Sequence, residues 1–129
     1  MVTCWPENYV GMAYDKKTNN CALFAERVQR EVFGREIHLP IDSSFNYRTQ
    51  ARLIQSHKHI YAEPTDSPFE GDAVLMNGRG NTSHIGVYCV VGGVAHVVHA
   101  MEKVGQVCLH RLRDLEKYGL AVEGFYQWK

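Results

Sequence analysis

The sequence predicts an α+β domain, with helices from the first half packed on a central antiparallel sheet of about five strands from the second. Three observations carry that expectation. Apolar residues recur at helical spacing through the first half of the chain. Beyond the turn-rich stretch Pro64–Gly71 they recur with a period near two. Gly92-Gly93 separates two β-rich runs, the sequence mark of a two-residue hairpin.

Trp5-Pro6 and Gly11 open the chain as an irregular or short helical lead-in. Cys21, Phe24, Ala25, Val28 and Val32 then gather on one face of an amphipathic helix, with Glu26, Arg27, Gln29, Arg30 and Glu31 opposite. Thr18, Asn19 and Asn20 can cap its start, and Gly34 is placed to end it. A second helix is expected over Ser44–Ser56, around Phe45, Ala51, Leu53 and Ile54. Strands are expected over Asp72–Met76, Ser83–Val91, Val94–Met101, Gln106–Leu112 and Val122–Trp128, with a short helix or turn at Asp114–Tyr118. Nothing resembles a linker, so residues 1–129 form one domain.

The composition narrows the function classes. Lysine plus arginine equal aspartate plus glutamate at 14 each, which argues against a broadly basic nucleic-acid surface. With 45% hydrophobic residues the chain is globular, and no apolar run is long enough to span a membrane. Met1–Asn8 carries neither a basic nor an apolar leader segment, so synthesis and residence in a cytoplasm are expected. Cys4, Cys21, Cys89 and Cys108 are widely spaced and read as free thiols.

Chemistry enters at two places. Cys21 falls in the first turn of its helix, where unpaired N–H groups and the helix dipole favour thiolate over thiol. The same position suits a small buried apolar residue. If Gly92 and Gly93 form the turn, Val91 faces Val94 and Gly86 faces His99. His84, Gly86 and Tyr88 then share a sheet face with Val97, His99 and Met101, which makes His84 and His99 diagonal neighbours. On this reading that face receives the Cys21 helix, and supplies a nucleophile, a base and an orienting group. His38, His57, His59, His96 and His110 read as structural or solvated residues.

Cys21 opening a helix, Glu70-Gly71-Asp72-Ala73-Val74-Leu75, Ser83-His84-Ile85-Gly86-Val87-Tyr88 and Val97-Val98-His99-Ala100 resemble, in order and wording, the NlpC family of papain-like cysteine peptidases. The likeness runs from Tyr14 to Trp128. It implies a papain-like NlpC-type fold, Cys21 as nucleophile, His84 as general base and His99 as the residue that orients His84. Tyr14 would support the oxyanion. It also implies a peptidoglycan stem peptide as substrate, cleaved between D-γ-glutamate and the following diamino acid, with no cofactor, metal, nucleic-acid or membrane partner. The compact single domain and the Gly124-Phe125-Tyr126 ending look most like phage or prophage tail proteins, which implies other tail proteins as partners and a place in the virion.

The chain departs from the family where most members carry Asp-Cys-Ser-Gly and this one has Asn20-Cys21-Ala22-Leu23, and where Asp15-Lys16 replaces a glycine pair. A fixed interval from His84 would choose His96 as the third residue, whereas the Val-His-Ala motif and the shared face choose His99. Three other readings remain open: a zinc site of Cys21, His84 and His99, a CHAP-like amidase or acyltransferase, and a non-catalytic tail-assembly protein that keeps the fold.

Overall fold

The computed structural model describes residues 5–40, 47–78 and 81–129. After a 3₁₀-helix at Trp5–Asn8 come α1 (Cys21–Phe33) and α2 (Tyr47–Tyr61), then β1 (Ala62–Thr65), β2 (Ala73–Gly78), β3 (Asn81–Val91), β4 (Val94–Met101) and β5 (Gln106–Arg111). A second 3₁₀-helix, Leu112–Tyr118, leads into β6 (Ala121–Trp128). The fold is α+β, as the change of period implies.

The capping signals act as the sequence suggests. Asn20 caps α1, its side-chain oxygen accepting from the Leu23 N–H at 2.9 Å, and Gly34 closes the other end with its N–H on the Gln29 carbonyl. Phe24, Ala25 and Val28 are completely buried against the sheet. Removing a Val or Phe side chain from water contributes about 1.5–3 kcal/mol each, so this face rather than local propensity holds the helix. α2 ends at Tyr61 rather than Ser56, and its buried Gln50 and Ala51 and half-buried Ile54 and Tyr61 share one face. The expected start at Ser44–Asn46 lies outside the described residues, as does Cys4.

Among the described residues the sheet has six antiparallel strands in the order β1-β6-β2-β3-β4-β5, one more than expected. The extra strand is β1, which contains Pro64 and sits at the rim, the one place where a residue without an N–H fits a sheet. β2 to β5 form a meander, and β6 returns to the other side of β2. The β3–β4 register is the one derived from the hairpin, Val91 opposite Val94 and Cys89 opposite His96, with Gly92 and Gly93 both at positive φ (59° and 77°) in the turn. At the other rim the segment before α1 runs along β5: the Gly11 N–H donates to the Val107 carbonyl, the Val107 N–H to Met12 and the Tyr14 N–H to Gly105.

The Glu70-Gly71-Asp72 stretch ties the layers together. The Glu70 carboxylate accepts from the Trp5 indole N–H at 3.0 Å and the Val90 N–H at 2.7 Å. The Gly71 carbonyl accepts from the Gln29 amide at 2.8 Å and the Trp128 indole at 2.9 Å. Helix α1, the first 3₁₀-helix and the last strand are thereby fixed to the entry of β2.

The two sheet faces carry different layers. Ile85, Val87, Cys89, Val98, Ala100 and Val107 pack with Cys21, Phe24, Ala25 and Val28 of α1. Val74, Met76, Val97 and Leu115 form a smaller core on the opposite face, under the second 3₁₀-helix.

Candidate active site

Alternation along β3 and β4 places His84 and His99 on the face of Val97 and Met76, which is the smaller core. The expectation that this face receives α1 is therefore corrected: α1 packs on the Ile85 side. Gly86 explains why the histidines can meet. A β-carbon there would lie 2.4 Å from Val97 Cγ2 and 3.1 Å from His99 Cβ, so only a bare α-carbon lets β4 side chains lie across β3. Just ahead of it, Met76 pairs with His84 but Asn77 with Thr82, so Ser83 is an extra residue in β3.

The imidazoles form a chain. His84 Nε2 lies 2.7 Å from His99 Nδ1, and His99 Nε2 lies 3.0 Å from His110 Nδ1. His99 has no exposed surface, so both of its ring nitrogens are spent on the other two rings. His110 in turn stacks on Tyr118, with ring centroids 3.9 Å apart and planes 21° from parallel. His99 rather than His96 is thus the partner of His84; His96 instead places Nδ1 2.7 Å from the Val94 carbonyl in its own strand.

His110 is the residue that reading the sequence missed. It pairs with Val97 across β5, and so shares the His99 face. Applying to Met101–Gln106 the register argument used for Gly92-Gly93 would have found it.

Burial sets the protonation of the group. It pulls His84 down to about 4. His99 falls well below the ordinary range, through burial first and then through the His84 and His110 rings. His110 is lowered by burial, with the Asp114 carboxylate opposing. All three are neutral at pH 7.

Cys21 stands at the start of α1, as expected, but 1% of it is exposed and it belongs to the α1-side core. The N–H groups of Ile85, Ala22 and Cys21 itself favour the thiolate, and burial outweighs them, pushing the thiol up to about 12. The expected dipole-stabilised thiolate is corrected on that ground: a partial charge at a helix end is worth about 1 kcal/mol, less than the cost of desolvating a full one. Cys21 packs in the same core as Ile85, the residue of β3 that follows His84, while the His84 ring lies on the other face of the strand. Tyr14 is half-buried against the same core as Cys21, its backbone held to Gly105 at 2.9 Å.

A cleft of about 350 Å³ opens on the histidine side, lined by Ser83, His84, Met101, Glu102, Lys103 and Tyr118 among others. It borders His84 and not Cys21.

Searches of protein-family models, curated proteins and solved structures find no match to this chain.

The zinc reading meets the geometry here. The ring nitrogens of the three histidines point at one another rather than at a common centre, and no group of three His, Cys, Asp or Glu among the described residues is arranged to hold a metal ion. Among the described residues no helix is long and apolar enough to cross a membrane.

Proposed function

We propose that the protein is a thiol hydrolase of the NlpC type that cleaves an amide bond in peptidoglycan stem peptides, with Cys21 as nucleophile, His84 as base and His99 as its positioning residue. The observation that carries the reading is the 2.7 Å contact from His84 Nε2 to His99 Nδ1. It engages Nε2 of the base and leaves His84 Nδ1 outside that bond. Cys21 belongs to the same core cluster as Ile85, the neighbour of His84 in β3.

With the thiol near 12 and the imidazole near 4, the resting pair is neutral thiol and neutral imidazole. Attack is then general-base catalysed: the sulfur forms its bond to the scissile carbonyl carbon as its proton passes to His84. The same proton leaves with the amine when the C–N bond breaks, and water hydrolyses the thioester. The N–H groups at the start of α1, with the Tyr14 hydroxyl, would support the oxyanion. The substrate would be a D-γ-glutamyl–diamino acid stem, and the setting a phage tail; both rest on the resemblance of the motifs. The reaction requires the sulfur to become accessible when substrate binds and to meet the His84 ring, which in the resting structure lies on the face of the sheet opposite α1.

The test is release of peptides from purified sacculi. Wild-type protein should release them and Cys21→Ala, folded by circular dichroism, should not. Hydrolysis retained by that variant ends the reading. The 1% exposure of Cys21 favours a second one, a tail-assembly protein that keeps the fold without catalysis. Wild-type protein inert towards sacculi and towards soluble stem peptides would select it.

A further inference from the structure

We infer that His110, set by Asp114, selects which nitrogen of His84 carries the proton. His110 is thereby a positioning residue for a base it does not touch. The catalytic consequence rests on the hydrolase reading above; the tautomer itself does not.

A neutral imidazole has one N–H and one bare nitrogen. His99 is sealed between two rings, with Nδ1 toward His84 and Nε2 toward His110, so it can donate to only one of them. Three neutral rings joined in this way have two arrangements in which both contacts are hydrogen bonds. In the first, His84 Nε2–H donates to His99 Nδ1, and His99 Nε2–H donates to His110 Nδ1. Nδ1 of His84 is then bare, and His110 carries its proton on Nε2. In the second every bond is reversed, His84 carries its proton on Nδ1, and that atom cannot accept another. The rings lie 5.0 Å and 5.1 Å apart between centroids, close enough that breaking one bond to mix the arrangements leaves a buried donor or acceptor unpaired.

The outer end of the chain decides between them. Asp114 follows His110 by four residues, at the start of the second 3₁₀-helix. Its carboxylate accepts from Arg111 Nε at 2.7 Å and pairs with Lys117 at 3.6 Å, which keeps it ionised. Nδ1 of His110 is turned inward to His99 and Tyr118 covers the ring face, so Nε2 is its outward nitrogen, and of the three rings it is His110, at the outer end, on which the Asp114 charge acts. A negative charge there favours the N–H on the outward nitrogen, Nε2, and so the first arrangement. That arrangement gives His84 a bare Nδ1. A carboxylate on the second 3₁₀-helix and a ring on β5 thus prepare a base on β3 through the intervening ring of His99.

The test reads the tautomer directly, by long-range ¹H–¹⁵N correlation on protein labelled at histidine, at pH 7. In the wild type His84 should show Nε2 protonated and Nδ1 bare; the opposite tautomer overturns the inference. His110→Phe removes the acceptor for His99 Nε2–H, so His99 should turn its proton to Nδ1 and force the His84 proton onto Nδ1. His110→Gln supplies an oxygen acceptor and should restore the wild-type tautomer. Asp114→Asn, at the surface, should leave the fold intact and yield a mixture of tautomers. An unchanged His84 pattern in His110→Phe overturns the inference, and should that variant fail to fold, an unchanged pattern in Asp114→Asn does so. On stem peptides kcat should fall about a hundredfold in His110→Phe with KM unchanged, and recover in His110→Gln. An inert wild type with the expected tautomer would sink the hydrolase reading and leave this one standing.

Discussion

Acid should unfold this protein through its histidines before its carboxylates titrate. An unfolded histidine titrates near 6.5 and folded His84 near 4, so as the pH falls the unfolded chain binds the proton first. The stability held in this ring is complete above pH 6.5 and drains away as the pH falls towards 4. Between pH 7 and pH 5 the linkage for one such ring amounts to about 2 kcal/mol, an upper figure because part of His84 still meets solvent in its cleft. His99 is shifted in the same direction and adds to the loss. Urea unfolding followed by tryptophan fluorescence, at pH 7 and at pH 5, measures it in wild type and in His84→Gln. Replacing His84 also relieves the repulsion that depresses His99, so both effects flatten the pH dependence of the variant. Wild type should therefore lose about 2 kcal/mol more than the variant across that interval. Equal losses would mean that the His84 ring is not held neutral by burial, and the account of the site's protonation would fail with it.

Gly86→Ala should cost about 1–3 kcal/mol in urea midpoint stability, because its methyl group would overlap Val97 and crowd His99; an unchanged midpoint would contradict the close approach of β4. Asn20→Ala should cost about 1 kcal/mol by thermal melting, through loss of the α1 cap. Gln29→Leu and Trp128→Phe each leave the Gly71 carbonyl one donor, so the double variant should lose about 1–2 kcal/mol more than the sum of the singles. Simple additivity would show that the carbonyl is not shared. Site-resolved alkylation with iodoacetamide should find Cys21 as slow as Cys89 at pH 7, since burial pushes both thiols up to about 12. Rapid labelling of Cys21 alone would overturn its placement in the core.

Much of the fold could be read because several signals agreed. Asn20, the Cys21–Val32 stripe and Gly34 specify one helix by three independent devices. Gly92-Gly93 fixes a register, and that register alone brings His84 to His99. What escaped was tertiary. β1 was hidden because Pro64 argues against a strand except at a rim, and sequence does not show which strand will be outermost. The side of the sheet taken by α1 is equally invisible in the β3 pattern, since Ile85 and Val87 on one face and Gly86 and Tyr88 on the other both suit a covered surface. The thiol went wrong for a related reason. A helix start is local and legible, whereas the packing of Ala22, Phe24 and Ile85 that dries the sulfur depends on the whole chain. His110 was within reach and lay one hairpin further along the same argument.

The run from Gly11 to Tyr14 occupies the outer side of β5, and Pro64 deprives β1 of a donor at the opposite rim. Neither border of the sheet therefore offers a complete ladder to a foreign strand, which guards the molecule against edge-to-edge aggregation. A version trimmed past Tyr14 would bare the β5 border and should self-associate, even though every residue of the histidine chain was still present.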